Sequence, residues 1–134
     1  MNEFLDKKNY VKQAESVVDN LKKIRSKFDN KETIAISNSQ LRNILTLINE
    51  LYNAVLYNRN EALNDDIQSR AQYVKMKIAY AAGKDDKGNV KDFVERSKIM
   101  DYIDMIGDSR ERLMLVCHYM EAIVAYHKFK GGKD

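Results

Sequence analysis

The sequence that decides the fold is SNSQLRNILTLINELYNAVL, residues 37–56. Ser37 followed three residues later by Gln40 has the spacing of a capping box, which pairs backbone N–H groups that a first helical turn leaves free. Apolar residues then recur at steps of three and four, the period of one helix face. A face this wide predicts the most buried helix of the fold. Its residues are Leu41, Ile44, Leu45, Ile48, Leu51, Tyr52, Val55 and Leu56.

A helix is also predicted before this segment, over about residues 4–29. The same steps of three and four run through the region, and residues 29–36 then lose the period, which indicates a loop. The apolar positions are Tyr10, Ala14, Val17, Leu21, Ile24 and Phe28.

Three more helices are predicted after it. Beyond the polar segment 58–64, Asn64 or Asp65 can cap a helix that ends before Gly83. A polar loop, 83–89, leads to a fourth helix over about 90–106, which Gly107 stops as a left-handed cap. Asp108 and Glu111 resemble a second capping pair for a helix that runs to about Lys130. The three apolar faces are Ile67, Ala71, Val74, Ile78 and Ala81; Val90, Phe93, Val94, Met100, Ile103 and Ile106; and Leu113, Val116, Cys117, Met120, Ile123 and Val124.

These segments predict an all-α chain, a compact bundle of about five helices forming a single domain over residues 1–134. No alternating stretch is long enough to predict a strand, and helices with apolar faces must bury them against one another. The composition, 44% hydrophobic and 32% charged without proline, is that of a globular protein. The apolar runs are too short to cross a membrane and the N-terminus lacks a secretory pattern, so we expect a cytoplasmic protein.

The cysteine and histidine residues, which act in the catalytic and metal sites of other proteins, are not spaced for such a site in this sequence. Cys117 lies among apolar residues and is interpreted as buried, and adjacent His118 points about 100° away on a helix. His118 and Glu121 share a face, but a metal site in a bundle needs more ligands, and His127 lies 180° from His118 on an ideal helix. We therefore expect a protein that is not an enzyme and holds no metal or cofactor.

A basic and aromatic stripe is the pattern that points to a partner. It consists of Arg70, Tyr73, Lys77, Tyr80 and Lys84, and no acid occurs between residues 67 and 84. Such groups pair with phosphates and contact sugars or bases. The alternative is that the tyrosines flank the core and the lysines are solvated. A net charge of +3 is low for a protein that holds nucleic acid by charge alone, so any such contact must be local or repeated.

Three segments together resemble the small subunit of type III-A CRISPR (Csm) effector complexes. They are Ser39–Leu45 (SQLRNIL), Tyr73–Gly83 (YVKMKIAYAAG) and Tyr119–Phe129 (YMEAIVAYHKF). The resemblance implies a helical bundle present in several copies, which braces guide RNA and its paired target in antiviral defence while neighbouring subunits perform the chemistry. It thus implies guide RNA, target RNA, other subunits and further copies of the same chain as partners, and no membrane.

The resemblance also implies RNA-binding residues. The basic positions of the matching segments are Arg42, Lys75, Lys77 and Lys128, and the stripe adds Arg70 and Lys84. The Asp85-Asp86 pair departs from a purely basic loop. Because base pairing supplies specificity in such systems, backbone and shape are all that this subunit needs to recognise. The competing hypothesis is a purely structural adaptor that binds protein neighbours and never touches nucleic acid.

Overall fold

The computed structural model describes residues 3–57 and 59–134, so Asn58 of the predicted polar segment lies outside the described residues. Within those ranges the chain forms six helices and one small antiparallel sheet. The order along the chain is α1 (Tyr10–Asn20), β1 (Lys23–Arg25), β2 (Glu32–Ile34), α2 (Asn38–Val55), α3 (Asp65–Lys84), α4 (Asn89–Ser97), α5 (Ile99–Asp104) and α6 (Arg110–Phe129). The predicted all-α bundle is confirmed as the fold class.

The signal at residues 37–56 produces α2 as predicted. The N–H of Gln40 donates to Ser37 Oγ at 3.1 Å, and the N–H of Ser37 donates to Gln40 Oε1 at 3.0 Å, which completes the capping box. Five residues of the predicted face are buried. The prediction that α2 is the most buried helix is wrong, because α6 buries eight residues. The reason is position: α6 packs against both α1 and α2, so it is covered on two sides.

The first predicted helix is much too long. α1 ends at Asn20, where the Asn20 side chain donates to the carbonyl of Ser16 at 2.8 Å, and Leu21 is already extended. The backbone N–H of Lys22 donates to the Asp92 carboxylate at 2.8 Å instead of continuing the helix. Residues 23–34 form a hairpin in which Lys23 pairs with Ile34 and Arg25 with Glu32. The expectation of no strands is therefore wrong here.

The fourth predicted helix is divided into α4 and α5. Lys98 adopts a left-handed conformation with φ of 58°, which breaks the helical hydrogen bonding between Ser97 and Ile99. The carbonyl of Ser97 accepts a hydrogen bond from the Tyr119 hydroxyl at 2.9 Å, so α6 stabilises the break. The helical period of the apolar residues continues across the break, which is why the sequence pattern did not reveal it.

Three helix ends also differ from the predictions. Asn64 caps α3 as one of the two candidates, accepting from the N–H of Ile67 at 2.9 Å, but the helix continues through Gly83 to Lys84. Ser109, rather than Asp108, caps α6, because its hydroxyl accepts from the N–H of Arg112. Gly107 is left-handed as predicted, although α5 has already ended at Asp104.

The C-terminal residues close one end of the bundle over a buried histidine. The His127 ring is fully buried, with Nε2 2.8 Å from the carbonyl oxygen of Ile36. Gly132 packs directly against this ring, where a Cβ atom would overlap it. The carbonyl of Lys133 then accepts from the N–H of Asn38 at 2.6 Å, which ties the chain end to the start of α2.

We expect Lys98→Gly to raise the free energy of unfolding by about 1 kcal/mol, since a left-handed conformation costs an L-residue energy that glycine avoids. Urea denaturation measures the change. Glu95→Gly, in the exposed interior of α4, is the control and should destabilise by about 1 kcal/mol. A loss of stability in both variants would contradict the left-handed break.

We expect Gly132→Ala to destabilise the protein by about 1–3 kcal/mol, because the added methyl group forces the buried His127 ring to move. Thermal and urea unfolding report the effect. Gly83→Ala is the counterpart in a helix, where nothing lies within 4 Å of the added Cβ, and should stabilise by about 0.5–1 kcal/mol. Equal effects of the two changes would show that Gly132 does not pack as described.

Candidate nucleic-acid interface

The basic and aromatic stripe lies along an exposed flank of α3. Tyr73 and Tyr80 are 54% and 72% exposed, so neither is packed in the core. The Lys77 Nζ atom lies 4.7 Å from the centroid of the Tyr73 ring, and the Lys84 Nζ atom lies 5.7 Å from that of Tyr80. Each cation therefore covers part of an aromatic face, an arrangement that keeps long side chains ordered beside solvent. The stripe is a surface of the protein rather than the edge of its core.

A groove of about 730 Å³ runs between α2 and α3 beside this stripe. On the α3 side, two lysine ammonium groups and a tyrosine phenol line the groove. On the α2 side, amide and hydroxyl groups line it. This combination offers charged donors for a phosphate next to neutral groups that both donate and accept hydrogen bonds. Its lining residues are Gln40, Asn43, Thr46, Leu47, Lys77, Tyr80, Ala81, Lys84, Asp85 and Val90.

Asp85 stands in the groove wall for a structural reason. Its Oδ2 accepts the N–H of Val90 at 2.9 Å and its Oδ1 accepts that of Lys87 at 3.4 Å. The carboxylate thus orders the loop between α3 and α4 and supports the first turn of α4. This accounts for Asp85 in a loop where the resemblance implied basic residues; nothing in the structure explains Asp86.

The six residues predicted to bind RNA do not form one cluster. Lys77 and Lys84 line the groove, whereas Lys75 lies on the other flank of α3 and pairs with Asp104 of α5 at 2.7 Å. The Lys75 side chain is 28% exposed, which makes this ion pair part of the α3–α5 packing. Arg70 is exposed and pairs with Asp66, one helical turn away, at 3.3 Å.

Arg42 and Lys128 are both exposed, on α2 and α6. The start of α2 meets the chain end that follows α6, through the hydrogen bond from Asn38 to Lys133. Gln40, also in the first turn of α2, lines the groove together with Lys84. Lys84 therefore lies at the end of the bundle where α2 begins, and Lys128 is in the last turn of α6, close in sequence to the chain end that meets α2.

Sequence reasoning missed the α2 side of the groove. Gln40, Asn43 and Thr46 are uncharged polar residues on a helix, and nothing in their spacing indicates which neighbour they face. It also missed a wider cleft of about 1140 Å³ between α1, the end of α2 and the start of α6. That cleft has three cations and three acids in its lining, Lys7, Arg59, Arg110, Glu61, Asp108 and Glu111. The net charge of these six residues is therefore zero, so the cleft does not favour a phosphate.

Cys117 and the two histidines occupy separate environments. Cys117 is fully buried, and burial together with nearby Glu121 raises the pKa of its thiol to about 12. His118 is half-buried beside Tyr10, whereas His127 is sealed under the chain end. Across residues 3–57 and 59–134, no three His, Cys, Asp or Glu side chains form a group that could hold a metal ion. The predicted buried role of Cys117 is confirmed.

The described part of the chain also has no helix that is both long and apolar enough to span a bilayer.

Comparison with known proteins identifies the family. The model of the family Csm2 Type III-A matches residues 6–133. The CRISPR system protein Csm2 of Streptococcus thermophilus is 37% identical over 130 residues, covering 97% of this chain and 98% of that protein. The Csm2 protein of Mycobacterium tuberculosis is 35% identical over 126 residues, 94% of each chain. That of Enterococcus italicus is 30% identical over 121 residues, covering 87% of this chain and 85% of that protein.

A family match over nearly the whole chain, joined to a helical bundle with a basic groove, leads to one conclusion: the chain belongs to the Csm2 family of type III-A CRISPR systems.

Proposed function

We propose that this chain is a non-catalytic small subunit of a type III-A RNA-guided interference complex, which braces guide RNA and its paired target through sequence-independent backbone contacts. It acts in the cytoplasm in antiviral defence, alongside other subunits and further copies of itself. The observation that carries the proposal is the α2–α3 groove, where Lys77 and Lys84 flank the exposed Tyr80.

The groove suits backbone recognition because its cations are lysine ammonium groups, which act as point charges and do not read the edge of a particular base. Lysine ammonium groups pair with phosphate oxygens from many directions. Tyr80 and the Asn43 amide supply contacts to ribose or to a base edge. Base pairing between guide and target supplies the sequence information, so the subunit has no need to read bases.

The predicted cations fall into two groups in this proposal. Lys77 and Lys84 in the groove, together with exposed Arg42 and Lys128, contact phosphates directly. Arg70 and Lys75 exchange a carboxylate partner, Asp66 or Asp104, for a phosphate. For Arg70 the exchange is inexpensive, since exposed ion pairs contribute about 0–1 kcal/mol.

A single copy binds weakly under this proposal. A net charge of +3 and a handful of phosphate contacts give modest affinity, and the assembled complex adds the contributions of several copies on one RNA. No cofactor, metal or membrane enters the proposed function.

The second candidate is the structural adaptor that binds protein neighbours alone. The observation in its favour is the exposed apolar surface of α3, where Tyr73, Met76 and Tyr80 are each more than half exposed. Aromatic residues and methionine are enriched in protein interfaces, whereas lysine is depleted. The lysines beside these residues therefore favour RNA.

We expect the double variant Lys77→Glu/Lys84→Glu to weaken retention of target RNA by the assembled complex at least about tenfold. Each lost phosphate contact should reduce the slope of log affinity against log salt by about 0.7. Filter binding at several salt concentrations measures both quantities.

The matched control is Lys8→Glu/Lys12→Glu, which makes the same charge change on exposed residues just before and within α1. It should change retention less than twofold. If the two double variants behave alike, the groove is not the RNA contact.

We expect Tyr80→Phe to retain photocrosslinking of the complex to RNA carrying 4-thiouridine, and Tyr80→Leu to lose most of it, because an aromatic face is what the contact requires. Met76→Ser should leave both crosslinking and co-purification with the other subunits unchanged. Loss of co-purification in Met76→Ser, with no crosslink from α3 in any variant, would favour the structural adaptor.

A further inference from the structure

The positive charge of the chain is concentrated in the β1–β2 hairpin. Residues 22–34 contain five Lys or Arg and two Asp or Glu, a net +3. The whole chain has 23 of the first kind and 20 of the second, so all other residues together carry 18 of each and are neutral. All five hairpin cations are exposed: Lys22, Lys23, Arg25, Lys27 and Lys31.

The tip of the hairpin is an ordered turn that presents an aromatic ring. Phe28 is fully exposed, so both faces of its ring are open to a partner. Its N–H donates to Ser26 Oγ at 3.2 Å, and the N–H of Lys31 donates to Asp29 Oδ1 at 3.0 Å. Asn30 takes a left-handed conformation with φ of 58°, which asparagine tolerates. These contacts fix the turn without covering the ring.

The base of the hairpin is anchored to the bundle beside the α2–α3 groove. Lys22 Nζ donates to the carbonyl of Lys87 at 3.2 Å, and the Asn89 side chain donates to the carbonyl of Ala35 at 3.3 Å. Asp85 and Val90, on either side of these contacts, belong to the groove wall. The hairpin and the groove therefore flank the same short segment of chain.

The cations nearest the ring are available for a partner. Lys27 and Lys31 form no ion pair with any acid of the described residues, whereas Arg25 holds Glu32 at 3.1 Å and the carbonyl of Asn30 at 3.0 Å. A protein interface would be expected to exclude such lysines from around its aromatic anchor. A nucleic-acid strand instead requires this pattern, with charge for the backbone and a ring on which a base can stack.

We propose that the hairpin is a second RNA-contact element, in which Phe28 stacks on an unpaired base and Lys27 and Lys31 pair with the flanking phosphates. The base must be unpaired because both faces of a paired base in a helix are already stacked. The proposal rests on the RNA-bracing function but uses a separate surface. In this proposal the RNA strand bound in the groove continues across residues 85–92 as a single strand and reaches the hairpin.

The test is fluorescence anisotropy of the full-length chain with a labelled single-stranded RNA and with an RNA duplex of equal length. Phe28→Leu should weaken single-strand binding between about fivefold and about a hundredfold, while Phe28→Tyr stays within twofold of the unaltered chain. Binding to the duplex should change less than twofold in both variants. Because Phe28 is fully exposed among the described residues, melting temperatures should not change.

The charge arm uses Lys27→Glu/Lys31→Glu against Lys8→Glu/Lys12→Glu, whose exposed lysines lie far from the 85–92 segment along the chain. The hairpin pair should weaken single-strand binding at least about tenfold and lower the salt slope by about 1.4, and the control pair should do neither. The proposal is overturned if the hairpin variants bind RNA with the same affinity as the unaltered chain. It is also overturned if the unaltered chain binds neither RNA.

The groove and the hairpin are distinguishable in the same experiment. If Lys77→Glu/Lys84→Glu weakens binding and the hairpin variants do not, the proposed function stands and the hairpin element is wrong. If Phe28→Leu and Phe28→Tyr lose affinity equally, the ring does not stack and this proposal fails. If the Phe28→Leu variant no longer co-purifies with the other subunits but keeps its affinity for RNA, the hairpin binds protein and not RNA.

Discussion

The packing of α6 against both α1 and α2 is the constraint on which the rest of the structure depends. Burial on two sides accounts for the buried residues around α6, including Tyr119, Cys117 and the polar His127. Two of these residues, Tyr119 and His127, also position neighbouring helices. The Tyr119 hydroxyl holds the carbonyl at the end of α4, and His127 meets the carbonyl of Ile36 before α2. Through these two polar contacts one helix fixes where two others begin or end.

This arrangement determines which residues of α2 are exposed to solvent. Because α6 covers one flank of α2 and α3 packs along the next, the groove forms where the polar residues of α2 face α3. The stripe on α3 is kept out of the core for the same reason: Ile67, Ala71, Val74 and Ile78 already fill the buried face. The tyrosines are thus left exposed by geometry, and lysines one turn away pack over their rings.

The sequence predicts local structure where the signal is local and unambiguous. The Ser37–Gln40 capping box and the apolar faces of α2, α3 and α6 are of this kind. Periodicity fails where it continues through a break: Ile24 and Phe28 keep the helical step although they lie in a hairpin, and Met100 does so beyond left-handed Lys98. The cause in both places is a distant partner, Asp92 or Tyr119, which takes a backbone group out of the helix. The α3 stripe was visible because one helix carries it, whereas the groove needed the position of α2.

Charge distribution connects the fold with the proposed assembly. Copies of a strongly basic chain would repel one another when placed side by side, at a cost that grows with the net charge of each copy. This chain instead carries no net charge over the residues outside 22–34, and acids such as Asp66 and Asp104 are paired to cations that do not line the groove. Unpaired lysines remain at the hairpin tip and along the groove. Such a chain can present positive charge to RNA at the groove and at the hairpin while its net charge stays low, which limits the repulsion between several copies placed along a single strand.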